Sequence, residues 1–229
     1  MKKIILQALA IVFASFLITS CTNLTPSDTS SPITAECYVR FLQDQNTSLS
    51  EVSFYKIQDS LPKPLQVHQI NLNGNPMKMR DIEGFGPKYR FTQRLIQGKE
   101  VTWSFKKTEK EEAIQSSIVI APVDSFSFPE GISKKEGTRL KMNTALFSAN
   151  ESLRILFTPE EGKIASVEVP ELAGKNEIKL PGEALISLTK GINKVELIRK
   201  KALVDTQGKI TFNKVGEYYT APIQVEVTD

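Results

Sequence analysis

Cysteine and histidine are nearly missing from this 229-residue chain, with two of the first and one of the second. Two thiols cannot build the dense disulfide framework that staples small secreted domains. A lone imidazole, His68, removes most zinc sites and most His-activated nucleophiles from consideration. No excess of one charge is present either. The net charge is +3, and Lys2 and Lys3 contribute two of its cations at the extreme N-terminus, so a basic nucleic-acid footprint is absent. The sequence contains no G-x-S-x-G, P-loop, G-x-G-x-x-G or H-E-x-x-H run. Long amphipathic helical patterns are absent too. These absences leave a non-enzymatic reading, with no catalytic residue, cofactor or metal expected.

Only one long apolar run exists, Ile4–Ile18 behind Met1-Lys2-Lys3. It is shorter than the roughly 20 residues a membrane span needs, and it fits the core of a signal peptide. The run closes on Leu17-Ile18-Thr19-Ser20-Cys21: an aliphatic residue, two small positions and a cysteine. This segment resembles the lipobox of bacterial lipoproteins. The resemblance implies removal of residues 1–20 and acylation of Cys21, whose thiol accepts the lipid, so that the membrane is a partner through that residue. Residues 21–34 then form a flexible tether, since Thr22–Thr34 is rich in Ser, Thr, Pro and Asp and has little to bury. Extended, it reaches roughly 45 Å. Thr22 stands where an inner-membrane retention signal would place Asp, which favours the outer membrane, and the lone Asp28 in place of an acidic surface-export cluster favours its periplasmic face over the cell surface.

Beyond the tether, short apolar alternations recur between turn residues, the pattern of an all-β sandwich. Cys37/Val39/Phe41, Val52/Phe54, His68/Ile70/Leu72, Tyr89/Phe91, Val101/Trp103/Phe105 and Ile118/Ile120 mark the first half. Leu153/Ile155/Phe157, Ile164 with Val167/Val169, Ile178/Leu180, Val195/Leu197, Ile210/Phe212 and Ile223/Val225/Val227 mark the second. Asn73-Gly74 is a hairpin-turn signal, because both residues tolerate positive φ. Pro181–Leu188 predicts one short helical turn, with Pro181 first and Leu185 and Leu188 on one face. Pro122 and Pro129 suit a crossing between sandwiches. The expected division is therefore an N-terminal sandwich over 35–122 and a second over 123–229.

The run Glu177–Pro181, then Leu185 and Leu188, then Gly191–Arg199 resembles a strand, a helical crossing and a return strand. With Glu217–Thr220 and the last strand, it is similar to uncharacterised lipoproteins of Bacteroidota type with tandem immunoglobulin-like domains. That resemblance implies a fold and no activity.

Candidate chemistry is sparse. Glu160-Glu161 and Glu109/Glu111/Glu112 fall in predicted turns, where neighbouring carboxylates point into water rather than across a cleft. Asp205–Gly208 reads as a hairpin turn. Cys37 and Trp103 alternate with core residues and are expected inside. Tyr218 and Tyr219 are adjacent, so a strand sends one inward and one outward. They are the candidate surface contacts. Three functions remain open: a non-catalytic module binding or scaffolding an unknown envelope protein or glycan, an envelope hydrolase working through paired carboxylates, and a subunit of a surface fibre.

Overall fold

A computed structural model describes residues 31–94, 98–169 and 172–229. The leader expected at 1–20, the lipidation site at Cys21 and the tether as far as Ser30 lie outside the described residues. Ser31–Asp229 form one compact unit, and it is all-β. Before Pro122 run β1 (Ile33–Leu42), β2 (Thr47–Gln58), β3 (Leu61–Pro64), β4 (Gln69–Leu72), β5 (Asn75–Pro76), β6 (Lys78–Ile82), β7 (Gly86–Arg94), β8 (Val101–Lys106) and β9 (Ile114–Ile118). After it run β10 (Val123–Ser127), β11 (Ile132–Ser133), β12 (Thr138–Thr144), β13 (Glu151–Pro159), β14 (Ala165–Val169), β15 (Glu177–Leu180), β16 (Gly191–Gln207), β17 (Ile210–Tyr219) and β18 (Ile223–Thr228).

Period-two burial explains most of these strands. In β1, Ile33, Ala35, Cys37, Val39 and Phe41 are buried, while Thr34, Glu36, Tyr38 and Arg40 lie on the other face. Because Ile33 begins that inward series, Ile33 and Thr34 belong to the strand, and the tether ends before Thr34. Asn73 and Gly74 take φ of 49° and 82° and close the two-residue turn between β4 and β5. The expected helical turn is a single 3-10 turn at Gly182–Leu185, with Pro181 just ahead of it in extended conformation. Leu185 and Leu188 are buried. Ile164 departs from its expected place. It is exposed ahead of β14, since Val167 and Val169 have the opposite parity.

Eleven strands form one large sheet along the path β11-β18-β16-β17-β1-β2-β7-β6, with β13 and β14 joined to β16 and β3 joined to β2. Two smaller sheets, β5-β4-β8-β9 and β10-β12-β15, complete the fold. The first of these stacks on the large sheet through aromatics. The Phe105 ring lies 4.7 Å from Phe54 and 5.9 Å from Phe212. Trp103 Nε1 donates to Ser50 Oγ across 2.9 Å. Leu140 and Leu180, from the second small sheet, enter the same buried core as Leu153, Ile155, Phe157, Val195 and Leu197.

A boundary at Pro122 does not divide this molecule into two independent domains. The chain does cross between small sheets there, but β16 and β17 form a long hairpin that serves both halves. Asn193–Lys201 of β16 pair with β13, and Ile198–Gln207 pair with β17. β17 in turn lies parallel to β1 along its whole length, from Ile33↔Ile210 to Leu42↔Tyr219. The second half thus supplies a central strand to the first. Polar contacts hold the hairpin to β9: Ser116 Oγ donates to Asp205, Gln207 Nε2 to the Gln115 carbonyl, and Lys214 Nζ to the Ser117 carbonyl at 2.9 Å.

Gly216 makes the crossing possible. A Cβ there would sit 1.8 Å from Ile120 Cδ1, so the absence of a side chain lets the chain leaving β9 pass directly over β17. Gly216→Val is expected to destabilise by about 1–3 kcal/mol through overpacking. A lower urea midpoint at unchanged slope would register the effect.

Candidate functional site

The outward face of β17, β1, β2 and β7 carries a groove of about 620 Å³, in the size range of small-ligand sites. Register builds its floor. One cross-strand row runs Val215–Tyr38–Glu51 and the next runs Asn213–Glu36–Ser53–Lys88. Phe85 and Ile82, from the β6–β7 hairpin, stand at its wall. No local stretch of sequence encodes this surface, because only tertiary strand pairing brings the rows together.

Each carboxylate in the groove already has a partner. Glu217 Oε2 accepts hydrogen bonds from Tyr38 at 2.7 Å and from Tyr219 at 3.0 Å. Glu36 accepts from Asn213 Nδ2 at 2.8 Å. Glu51 lies 3.6 Å from Lys88 and 3.9 Å from Arg90. Burial pushes the Tyr38 hydroxyl far above the usual phenol range, and its hydrogen bond to the Glu217 carboxylate adds to the shift. Tyr219 is raised by burial and then by the Glu217 charge. Both tyrosines are therefore fixed donors around one shared acceptor. The side chains are held on rigid strands, an arrangement suited to hydrogen-bonding a bound molecule.

The two candidate tyrosines separate as adjacent strand residues must. Tyr219 lies on the outward face, its ring 5.8 Å from the Arg40 guanidinium. Tyr218 is a correction to the surface-contact expectation: it is 1% exposed, because it shares the inward parity of Ile210 and Phe212. Burial raises its hydroxyl to about 12, with the Asp124 charge adding to the shift. Cys37 and Trp103 are buried, and burial holds the Cys37 thiol strongly protonated. His68 is exposed just ahead of β4, and Glu109, Glu111, Glu112, Glu160 and Glu161 are exposed as well. Among the described residues, no group of three His, Cys, Asp or Glu could hold a metal ion. The one described carboxyl with a raised pKa is Glu196, lifted by burial and by the Asp44 charge. It is not part of the groove.

Two buried cations were missed in the sequence. The Arg199 side chain is 1% exposed and pairs with Glu151, itself 4% exposed, at 2.8 Å. Its guanidinium also donates to Thr144 Oγ1 and the Ala145 carbonyl and lies 4.1 Å from the Phe147 ring centroid. Lys214 is 5% exposed and binds Asp205 Oδ2 at 3.0 Å. The signal was available, since Val195/Leu197/Arg199 and Ile210/Phe212/Lys214 keep one parity and so carry a cation onto the inward face.

No family model and no curated protein matches the chain.

Proposed function

We propose that this chain is a lipid-anchored envelope protein whose body is a non-catalytic binding module, with the outward groove as its contact surface. The groove carries the reading. About 620 Å³ of concave space is lined by tyrosine, asparagine and carboxylate groups fixed on four strands. Every groove carboxylate is engaged by a donor or a cation, which supports recognition over acid–base work, where one carboxyl must stay protonated in an apolar setting. The lipobox supports anchoring through Cys21, Thr22 supports the outer membrane, and the lone Asp28 in place of an acidic cluster supports its periplasmic face. Several acyl chains, at about 0.8 kcal/mol per buried methylene, make release negligible. Even a weak contact is then sustained by high local concentration. The partner is an envelope protein or glycan.

The test uses a photo-crosslinking residue at Val215 in the native envelope, beside alkyne-palmitate labelling of wild type and Cys21→Ser. The expected result is a groove adduct with wild type, and lipid label that the Cys21→Ser chain lacks. Label persisting on Cys21→Ser would overturn the anchor. Turnover of peptidoglycan or a polysaccharide that vanishes in Glu36→Gln, Glu51→Gln or Glu217→Gln would replace the binding module with the hydrolase.

A further inference from the structure

The β6–β7 hairpin sets its cations against one another. Lys78 stands directly across from Arg90, and Arg80 across from Lys88. Like charges directly opposed on neighbouring strands cost stability. The two pairs are two residues apart along the strands, about 7 Å. All four side chains lie on the same face as Glu51 and Ser53, which oppose Arg90 and Lys88 on β2.

Counter-charges on that face are few. Glu51 lies near Lys88 and Arg90, and among the described residues no ion pair reaches Lys78 or Arg80. Asp81 has the parity of Met79 and so lies on the other face of β6, while Glu83 sits in the turn beyond Ile82. With both counted, Lys78, Arg80, Lys88, Arg90 and Arg94 still outnumber Glu51, Asp81 and Glu83. Lys78, Arg80 and Arg90 line a concavity of about 480 Å³ together with Phe91 and Thr92, and no described carboxylate lines it.

Protection of a sheet edge does not account for this arrangement. β6 is the last strand on its side of the large sheet and is exposed throughout, and charge on an edge strand discourages pairing with another chain. Acidic residues opposite Arg90 and Lys88 would protect the edge equally and would also stabilise the hairpin. What a cation adds at both positions of each pair is affinity for an anion.

We infer that the β6–β7 concavity is an oxyanion site and that its ligand is an acidic glycan whose neighbouring sugars lie in the groove. The inference rests on the groove reading above and narrows its partner. Glu51 and Lys88 line the groove and also belong to the cation cluster, and β2 and β6 are two strand spacings apart, about 10 Å. One chain therefore spans both places. Its phosphate or carboxylate groups sit between the opposed cations, where Arg80 and Arg90 offer forked donors that hold two oxygens at once and Thr92 adds a hydroxyl. A glycan is favoured over an acidic peptide by the groove floor. The main-chain groups of β17, β1 and β2 are spent on one another there, so the floor offers hydroxyl, amide and carboxylate side chains, which match sugar hydroxyls, and no strand edge for a peptide to extend.

The test is an amide NMR titration of Ser31–Asp229, one compact unit containing the whole described core. Inorganic pyrophosphate probes the charge alone, and dextran phosphate beside unmodified dextran probes the glycan. Pyrophosphate is expected to shift the amides of Lys78, Arg80, Lys88 and Arg90 saturably, and salt to weaken the effect. Dextran phosphate should shift these and also Tyr38, Glu51 and Asn213, and should bind more tightly than dextran. Lys78→Gln with Arg80→Gln is expected to weaken pyrophosphate binding at least about tenfold, through the loss of two charge-assisted hydrogen bonds. Its urea midpoint should not fall below that of wild type, because the opposed like charges are relieved. Absent shifts, shifts scattered over all surface lysines, or full affinity in the double variant would overturn the oxyanion site. Dextran phosphate shifts confined to the hairpin, or equal binding of unmodified dextran, would overturn the acidic glycan. The Val215 crosslink reports on the groove separately: an adduct there without a pyrophosphate response sinks the oxyanion site alone, and the reverse result sinks the groove reading.

Discussion

Produced alone, residues 31–122 are expected to remain unfolded, whereas 31–229 unfolds in one cooperative transition. Two tandem domains would behave in the opposite way, each surviving separation. The fragment loses β17 from the side of β1, and with it the inward side chains Ile210, Phe212 and Tyr218, all buried in the intact protein. At about 1.5–3 kcal/mol for each large apolar side chain, the loss approaches the whole 5–15 kcal/mol stability of an ordinary domain. It also leaves β1 as an open edge and removes the polar contacts of Asp205, Gln207 and Lys214 with β9. Far-UV circular dichroism and amide chemical-shift dispersion of the fragment would measure this. A cooperative urea transition in 31–122, with a midpoint near that of the intact unit, would contradict the shared hairpin.

The second large effect is expected from Glu151→Ala. It strands the Arg199 guanidinium in a site that is 1% exposed, and breaking a buried pair from one side costs about 3–5 kcal/mol. Replacing both residues by apolar ones, Glu151→Leu with Arg199→Met, should recover much of the loss, since neither then buries an unpaired charge. The pair also sets an acid dependence. Burial pushes the Glu151 carboxyl up, but the Arg199 hydrogen bond, the Ser148 backbone NH and the Arg199 charge outweigh it, leaving the pKa below its ordinary value. A carboxyl lowered by folding contributes stability that is complete above its unfolded pKa of about 4.3 and is lost as pH falls through the folded value. Urea midpoints of wild type should therefore drop on acidification through that window. Glu151→Gln should lack this component and begin from a lower plateau.

Local alternation carried much of the fold. The strands β1, β8 and β13 bury the residues their parity predicts, and the Asn73-Gly74 turn has the conformation its side chains favour. Parity reports which face of a strand is inside, however, and says nothing of which strand lies beside it. Tyr38 and Glu217 are 179 residues apart in the chain yet share a hydrogen bond, and no periodicity encodes that adjacency. The prolines around Pro122 marked a true crossing between small sheets, and Asp205–Gly208 marked the turn of the long hairpin, but neither signal tells that the hairpin pairs with both halves. The candidate groove was illegible for the same reason: Tyr38, Glu51, Lys88 and Asn213 are ordinary outward strand residues until pairing sets them in rows. Arg199 and Lys214 differ. Their inward parity was on display, and charge alone made them look like surface residues.

The parallel pairing of β1 with β17 also fixes a schedule. Synthesis runs from the N-terminus, so β1 is among the first strands to exist and its neighbour almost the last. At about 5–20 residues per second, the interval is roughly 10–35 s. Throughout it, one flank of β1 presents unpaired backbone groups beside the apolar side chains Ile33, Ala35 and Val39, a template that any extended chain could occupy. Long-range closure of this kind is slow even once the whole chain is present. The edge of β1 that β17 covers is therefore open for nearly the whole of synthesis. An insertion in a loop between β9 and β16 would lengthen that exposure without touching the β1–β17 pairing.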